Sequence, residues 1–196
     1  GKKLDRFSRL EEQIAVLKEI ETIADEHAVD MVIIAGDLFD NANPSIEALE
    51  LFYGTLKRIA KDGARPVIAI AGNHDSPSLI DAPDVLARTN GIILIGYPNA
   101  TVKPFSVSGF SISESAPGYL AVKLHHFDFP VRILHTPYAN ELRLKTYLGE
   151  DKDAGINDAL GKMWQNLAAT YCDENGVNLL TAHLYMNKRG SALIDE

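Results

Sequence analysis

Met31-Val32-Ile33-Ile34-Ala35-Gly36-Asp37-Leu38-Phe39-Asp40 joins an unbroken apolar run directly to a polar cluster. A short apolar run without alternation reads as a strand covered on both faces, as in parallel sheets. A second such run, Pro66-Val67-Ile68-Ala69-Ile70-Ala71, leads into Gly72-Asn73-His74-Asp75. Between them, Asn43-Pro44 supplies an N-cap and a first helical position, and Ile46, Leu49, Phe52, Leu56 and Ile59 recur at helical spacing up to Gly63. Strand, helix and strand in this succession make a βαβ unit, so the two strands are expected to be parallel with a right-handed crossover.

The flanking sequence extends this α/β pattern. Upstream, Leu10, Ile14, Leu17 and Ala24 mark an amphipathic helix after a basic start. Downstream, a short helix around Asp81 to Arg88 precedes a third apolar strand at Ile92 to Ile95. Phe105, Val107, Phe110 and Ile112 then alternate with serines around Ser108-Gly109, which predicts antiparallel strands with one face exposed. Tyr119 to Leu124 and Val131 to Leu134 read as two further strands joined near Asp128-Phe129-Pro130, and the polar stretch from Thr136 to Asn157 as a surface excursion. A last helix carries Ile156, Leu160, Met163, Trp164, Leu167 and Tyr171 and stops near Asn175-Gly176; a final strand, Val177 to Ala182, ends at His183.

With 196 residues, 46% of them hydrophobic and 23% charged, the chain suits one globular domain and is too apolar for disorder. It has no apolar stretch approaching the roughly 18 to 20 residues that span a bilayer, and no signal-like start, so a cytoplasmic location is expected. The single cysteine, Cys172, excludes an intramolecular disulfide framework and a multi-cysteine metal site. Lys and Arg sum to 19 against 27 Asp and Glu, a net charge of -8 that repels polyanions. Handling phosphate would then need local cations, and bound metal ions are the strongest of these.

The polar clusters supply places for such ions. Gly36-Asp37-Leu38-Phe39-Asp40 and Gly72-Asn73-His74-Asp75 sit at the carboxyl ends of neighbouring parallel strands, where open α/β sheets build their sites, and His183 ends a third strand. Taken singly, each has a plainer reading: Asp37 as a cap beside a permissive Gly36, Asn73 as a turn residue, His183 as a structural histidine. Together they are expected to meet at one rim of the sheet. His27, His125, His126 and His135 read as helix-end, hairpin or core histidines without evident partners. Carboxylate, amide oxygen and imidazole without thiolate suit Mn²⁺, Fe²⁺ or Zn²⁺. A carboxylate can also bridge two cations roughly 3.5 to 4 Å apart, an arrangement that catalyses displacement at phosphorus.

On these motifs the chain resembles the calcineurin-like metallophosphoesterases. Gly36 to Asp40 together with Gly72-Asn73-His74-Asp75-Ser76-Pro77 is most similar to the nuclease subunits that process DNA double-strand breaks. The resemblance implies a layered αββα fold of mixed sheets flanked by helices, formed as one domain over residues 1–196. It implies that Asp37 bridges two divalent ions, Mn²⁺ foremost, while Asn73 and His183 ligate the second. His74 would face the scissile phosphodiester as a cationic stabiliser or general acid, with Asp40 orienting it and raising its pKa. Gly36, Gly72 and Asp75 would support the loops. Exonuclease action on duplex ends and endonuclease action are implied, with an SMC-like ATPase as partner, since this chain has no Walker-type glycine loop. A homodimer through roughly Pro44 to Lys61 and Pro77 to Arg88 is implied as well. Lys2, Lys3, Arg6, Lys188 and Arg189 are candidate DNA contacts, or else a solvated basic surface.

The family's opening Asp-x-His and closing Gly-His-x-His are not in this sequence. The expectation is therefore a chain truncated at both ends, short of its first strand, C-terminal metal motif and capping region. Such a chain should hold at most one weakly bound metal and show little activity. The competing readings are a phosphoesterase acting on a small substrate or a protein, and a catalytically dead scaffold.

Overall fold

The structure, a computed structural model, describes residues 3–4 and 7–186. A short antiparallel ribbon, β1 (Lys3–Leu4) and β2 (Phe7–Ser8), precedes helix α1 (Leu10–Glu26). Then come β3 (Val32–Ala35), α2 (Ile46–Ala60), β4 (Val67–Ile70), the short helices α3 (Pro77–Asp81) and α4 (Asp84–Thr89), and β5 (Ile92–Ile95). The second half contains β6 (Phe105–Ser106), β7 (Phe110–Ala116), β8 (Tyr119–Leu124) and β9 (Val131–Thr136), followed by α5 (Glu141–Leu144), α6 (Lys152–Tyr171) and β10 (Val177–Ala182).

Among the described residues, β3, β4 and β5 form a parallel three-stranded sheet, with Val67 opposite both Val32 and Ile92. A five-stranded sheet in the order β10-β9-β8-β7-β6 faces it; its pairs are antiparallel except β10 with β9, which run parallel. The two-residue period of each strand explains the layers. Val67, Ala69, Ile92 and Leu94 turn to Leu56, Ile59 and Ile80 on the helices. The alternate residues Ile68, Ile70, Ile93 and Ile95 turn to Phe110, Ile112, Leu120 and Ile133 of the second sheet. On that sheet's far side, Tyr119, Ala121 and Leu134 are covered by Trp164, Leu167 and Tyr171 of α6, and the Tyr119 and Tyr171 rings stack with centroids 4.1 Å apart. The order of layers is helix, sheet, sheet, helix. Truncating a fully buried side chain of the central layer, such as Ile68, removes about 2–5 kcal/mol of stability.

Several local expectations shift. Helix α2 is capped by Ser45, whose hydroxyl accepts from the Ala48 amide, and not by Asn43. Asn43 instead donates its backbone N–H to the Asn41 side chain in a turn before the helix. The segment around Asp81 to Arg88 is two helices because Pro83, without an N–H, ends one and starts the next. The polar excursion after Thr136 contains α5 and the first turn of α6, capped by the side chains of Asn140 and Asp151. Helix α6 stops at Tyr171, ahead of Asn175-Gly176. The strand exits do not share one sheet: β10 belongs to the second sheet and lies against β3 of the first, so the rim is built by both.

Candidate metal centre

The chain leaves β3 through two left-handed residues, Gly36 (φ +99°) and Asp37 (φ +50°). Glycine adopts this region freely, and aspartate is among the few other residues that tolerate it. Both glycines of the site are required by close approach. A Cβ on Gly36 would fall onto the His183 imidazole, and one on Gly72 would fall onto the backbone nitrogen and carboxylate of Asp37. His183 is delivered by continuation of the β9–β10 ladder, its N–H bonding Thr136 O at 3.0 Å.

Donor atoms from all three exits converge. His183 Nε2 lies 3.0 Å from Asn73 Oδ1 and 3.4 Å from Asp37 Oδ1. The other ring nitrogen, Nδ1, is 2.8 Å from the main-chain oxygen of Ala35. A carbonyl only accepts, so Nδ1 carries the hydrogen, and Nε2 of the neutral ring directs a lone pair at two oxygens. Three acceptor atoms facing one another are reconciled by a proton on Nε2 or by a metal cation among them. The Asp37 oxygen also accepts the His74 backbone N–H at 3.4 Å. Among the described residues no three His, Cys, Asp or Glu side chains gather as a metal group. The third donor here is an amide, Asn73, and two oxygens with one imidazole nitrogen fit a borderline divalent ion.

His74 stands beside this cluster. Its Nδ1 is 3.2 Å from Asp40, but the atom it meets is the main-chain carbonyl, not the expected carboxylate. The orienting group is therefore a fixed backbone acceptor, which places the hydrogen on Nδ1 and leaves Nε2 for other partners. Asp37, Asp40 and His74 line a cleft of about 560 Å³ whose wall also includes Arg9, Phe39 and Phe52.

Behind the rim the chain is tied to itself. The Asp75 carboxylate, 1% exposed, accepts from Leu38 N at 3.0 Å, Phe39 N at 2.9 Å and Gly72 N at 2.7 Å, so one side chain fastens the β3 exit to the β4 exit. Arg143, which the sequence reading did not single out, donates to the main-chain oxygens of Gly72 and Asp75 at 2.8 Å and of Asn73 at 3.4 Å. Burial pushes its pKa below the usual arginine value. The only local trace of this role was Asn140, three residues earlier, as an N-cap.

The remaining candidates stand elsewhere. Lys2, Arg6, Lys188 and Arg189 lie outside the described residues, and Lys3 is described only as part of β1. Two of the other histidines do have partners: His125 Nδ1 meets Ser108 O at 3.0 Å, and His126 pairs with Asp30 at 2.8 Å. His27 is the C-cap residue of α1. His135 is fully buried, and neither ring nitrogen finds a partner among the described residues.

This fold is that of a phosphoesterase. The pattern of the calcineurin-like phosphoesterase family matches residues 5–191, and the chain belongs to that family. It is 44% identical over 114 residues to the D subunit of the nuclease SbcCD from Bacillus subtilis (strain 168), covering 58% of this chain and 29% of that protein. Identity to the protein of the same name from Rhodobacter capsulatus is 34% over 97 residues, covering 49% and 24% of the two chains. With that from Staphylococcus epidermidis it is 24% over 184 residues, covering 94% and 43%. The chain spans less than half the length of these relatives.

Proposed function

We propose that this chain is the metal-binding part of a nuclease subunit that hydrolyses phosphodiester bonds of DNA, as exonuclease on duplex ends and as endonuclease, in double-strand-break repair and recombination. The observation that carries the reading is the approach of the Asn73 and Asp37 side-chain oxygens to His183 Nε2, at 3.0 and 3.4 Å, with His183 Nδ1–H already committed to Ala35. The names of the relatives, each of them one subunit of a nuclease, support the DNA substrate.

In this reading Asp37, Asn73 and His183 would hold a divalent ion, Mn²⁺ foremost and Fe²⁺ or Zn²⁺ as alternatives, and Asp37 would also contribute to a second. A bound divalent ion supplies positive charge against the phosphate and lowers the pKa of the attacking water. His74, fixed through Nδ1–H, presents Nε2 to the substrate, and its imidazolium form, with a second hydrogen on Nε2, would protonate the leaving oxygen or stabilise charge on the phosphate. Asp75 and the two glycines keep the exits in register and touch neither substrate nor ion.

The partner is an SMC-like ATPase subunit of the SbcC type, in keeping with the two-part complex in the relatives' names. The nuclease subunit itself pairs as a homodimer through α2 and the α3–α4 segment and works in the cytoplasm. Among the described residues no helix is long and apolar enough to cross a membrane. The cleft beside His74, about 560 Å³, favours a second reading, a small nucleotide as substrate.

The test is Mn²⁺-dependent cleavage of linear duplex DNA by the gene product carrying this chain, with a mononucleotide phosphodiester as competing substrate. Asp37→Ala and His74→Ala should each lower the rate at least about 100-fold. Unchanged cleavage in Asp37→Ala would overturn the proposal, and preference for the small diester would favour the second reading.

A further inference from the structure

Three main-chain carbonyl oxygens of the Gly72–Asp75 loop converge on one side chain. Arg143 Nη1 serves Gly72 O, while Nη2 serves Asp75 O and Asn73 O. Carbonyl dipoles aimed at a common point repel one another, and a planar guanidinium with spread donors is the side chain best shaped to reconcile them. A lysine ammonium is a compact point charge and cannot match the same fork.

The guanidinium is itself placed from two directions. Its carbon lies 5.0 Å from the centroid of the Tyr138 ring, and the Tyr138 N–H bonds Ala71 O at 2.9 Å, at the exit of β4. The Arg143 backbone N–H is held at 2.9 Å by the capping side chain of Asn140. The loop is thus clamped by opposite charges. Gly72 gives its N–H to the Asp75 carboxylate and its C=O to Arg143, which sets the peptide planes on both sides of Gly72, just before Asn73.

We propose that Arg143 is a positioning residue for the metal centre: it fixes the Gly72–Asp75 loop through its carbonyls, aims the Asn73 amide oxygen at the ion, and holds His74 beside Asp37. This rests on the metal reading given above. Arg143 touches neither ion nor substrate.

The test uses Arg143→Ala and Arg143→Lys with two readouts, amide hydrogen exchange of the Gly72–Asp75 loop and Mn²⁺ affinity by isothermal titration. Each is repeated with millimolar guanidinium, well below denaturing levels. In Arg143→Ala the β4 amides should stay protected while the loop amides exchange faster, and Mn²⁺ affinity should fall about 10- to 100-fold, the usual loss when a ligand's support is removed. Arg143→Lys should recover part of both, and free guanidinium should restore Arg143→Ala toward the unmutated values, which general destabilisation would not allow. Should Arg143→Ala fail to fold, Arg143→Lys carries the test, with intermediate loop exchange and affinity expected. Unmutated loop exchange and affinity in the variants would overturn the proposal. If the unmutated chain takes up no Mn²⁺, the metal reading fails, and loop exchange still decides separately whether Arg143 anchors the loop.

Discussion

The loop that carries Asn73 and His74 has a back facing protein and a front facing solvent, and different physics holds each. At the back, Asp75 accepts three backbone N–H groups and Arg143 donates to three carbonyls, so each interaction joins a charge to a peptide group of opposite polarity. At the front, the Asp37 and His183 side chains are 42% and 23% exposed, and His183 Nε2 faces the oxygens of Asn73 and Asp37 at 3.0 and 3.4 Å. The back is satisfied from within the chain and should account for stability. The front offers a carboxylate, an amide oxygen and an imidazole nitrogen to solvent and should account for binding.

The strongest way to break this division is Asp75→Ala. It strands two buried N–H groups and one half-buried one and should remove about 3 kcal/mol or more, read as the drop in urea midpoint at unchanged slope. A loss below about 1 kcal/mol would mean that the back is not what holds the loop.

His135, on β9 beside the β10 strand that delivers His183, sharpens the contrast from the interior. Burial lowers its pKa to about 4 from an ordinary 6.5. The unfolded chain therefore takes up a proton before the folded one does. Stability should be complete above about pH 6.5 and fall by up to about 3 kcal/mol as pH drops to 4. His135→Leu should flatten that slope in chemical denaturation across the window, whereas an unchanged slope would exclude His135 as its source.

At the front the stability effects shrink. Gly36→Ala forces a left-handed alanine and pushes against His183, so about 1–2 kcal/mol should be lost together with at least a tenfold weakening of Mn²⁺ binding in calorimetry. Asp37→Asn should shift stability by less than about 0.5 kcal/mol, since the side chain is exposed and keeps its oxygen, yet Mn²⁺ binding should largely disappear. If both variants lose stability and binding in proportion, front and back are one structural unit.

The strands β4 and β5 were legible because burial on both faces writes an uninterrupted apolar run; β3, read the same way, is only half-buried, with Ala35 exposed. Asp37 and Asn73 were legible because each follows an apolar run closely, whereas His183 ends a strand, Val177 to Ala182, that includes Asn178 and Thr181 and is largely exposed. Less could be read where the determinant lies far away in the chain. Nothing local in Val177 to Ala182 says that β10 lies parallel beside β9 and in the second sheet. The bond from His74 to the Asp40 carbonyl was hidden because a side-chain motif says nothing of which backbone oxygen it meets. Arg143 acts on residues about seventy positions earlier, and one arginine in a polar stretch has no pattern that records such a contact. The shift of the α2 cap from Asn43 to Ser45 is the small end of the same difficulty, since both residue types cap helices well.

The most direct measurement of the central claim is the ring ¹⁵N spectrum of the histidines during titration with Zn²⁺, a diamagnetic member of the allowed set. A coordination shift at His183 Nε2 is predicted, with Nδ1 still protonated and bonded to Ala35, and with the ring nitrogens of His74 free of any such shift. A His183 signal unaltered at saturating Zn²⁺, or coordination at another histidine in its place, would contradict the account.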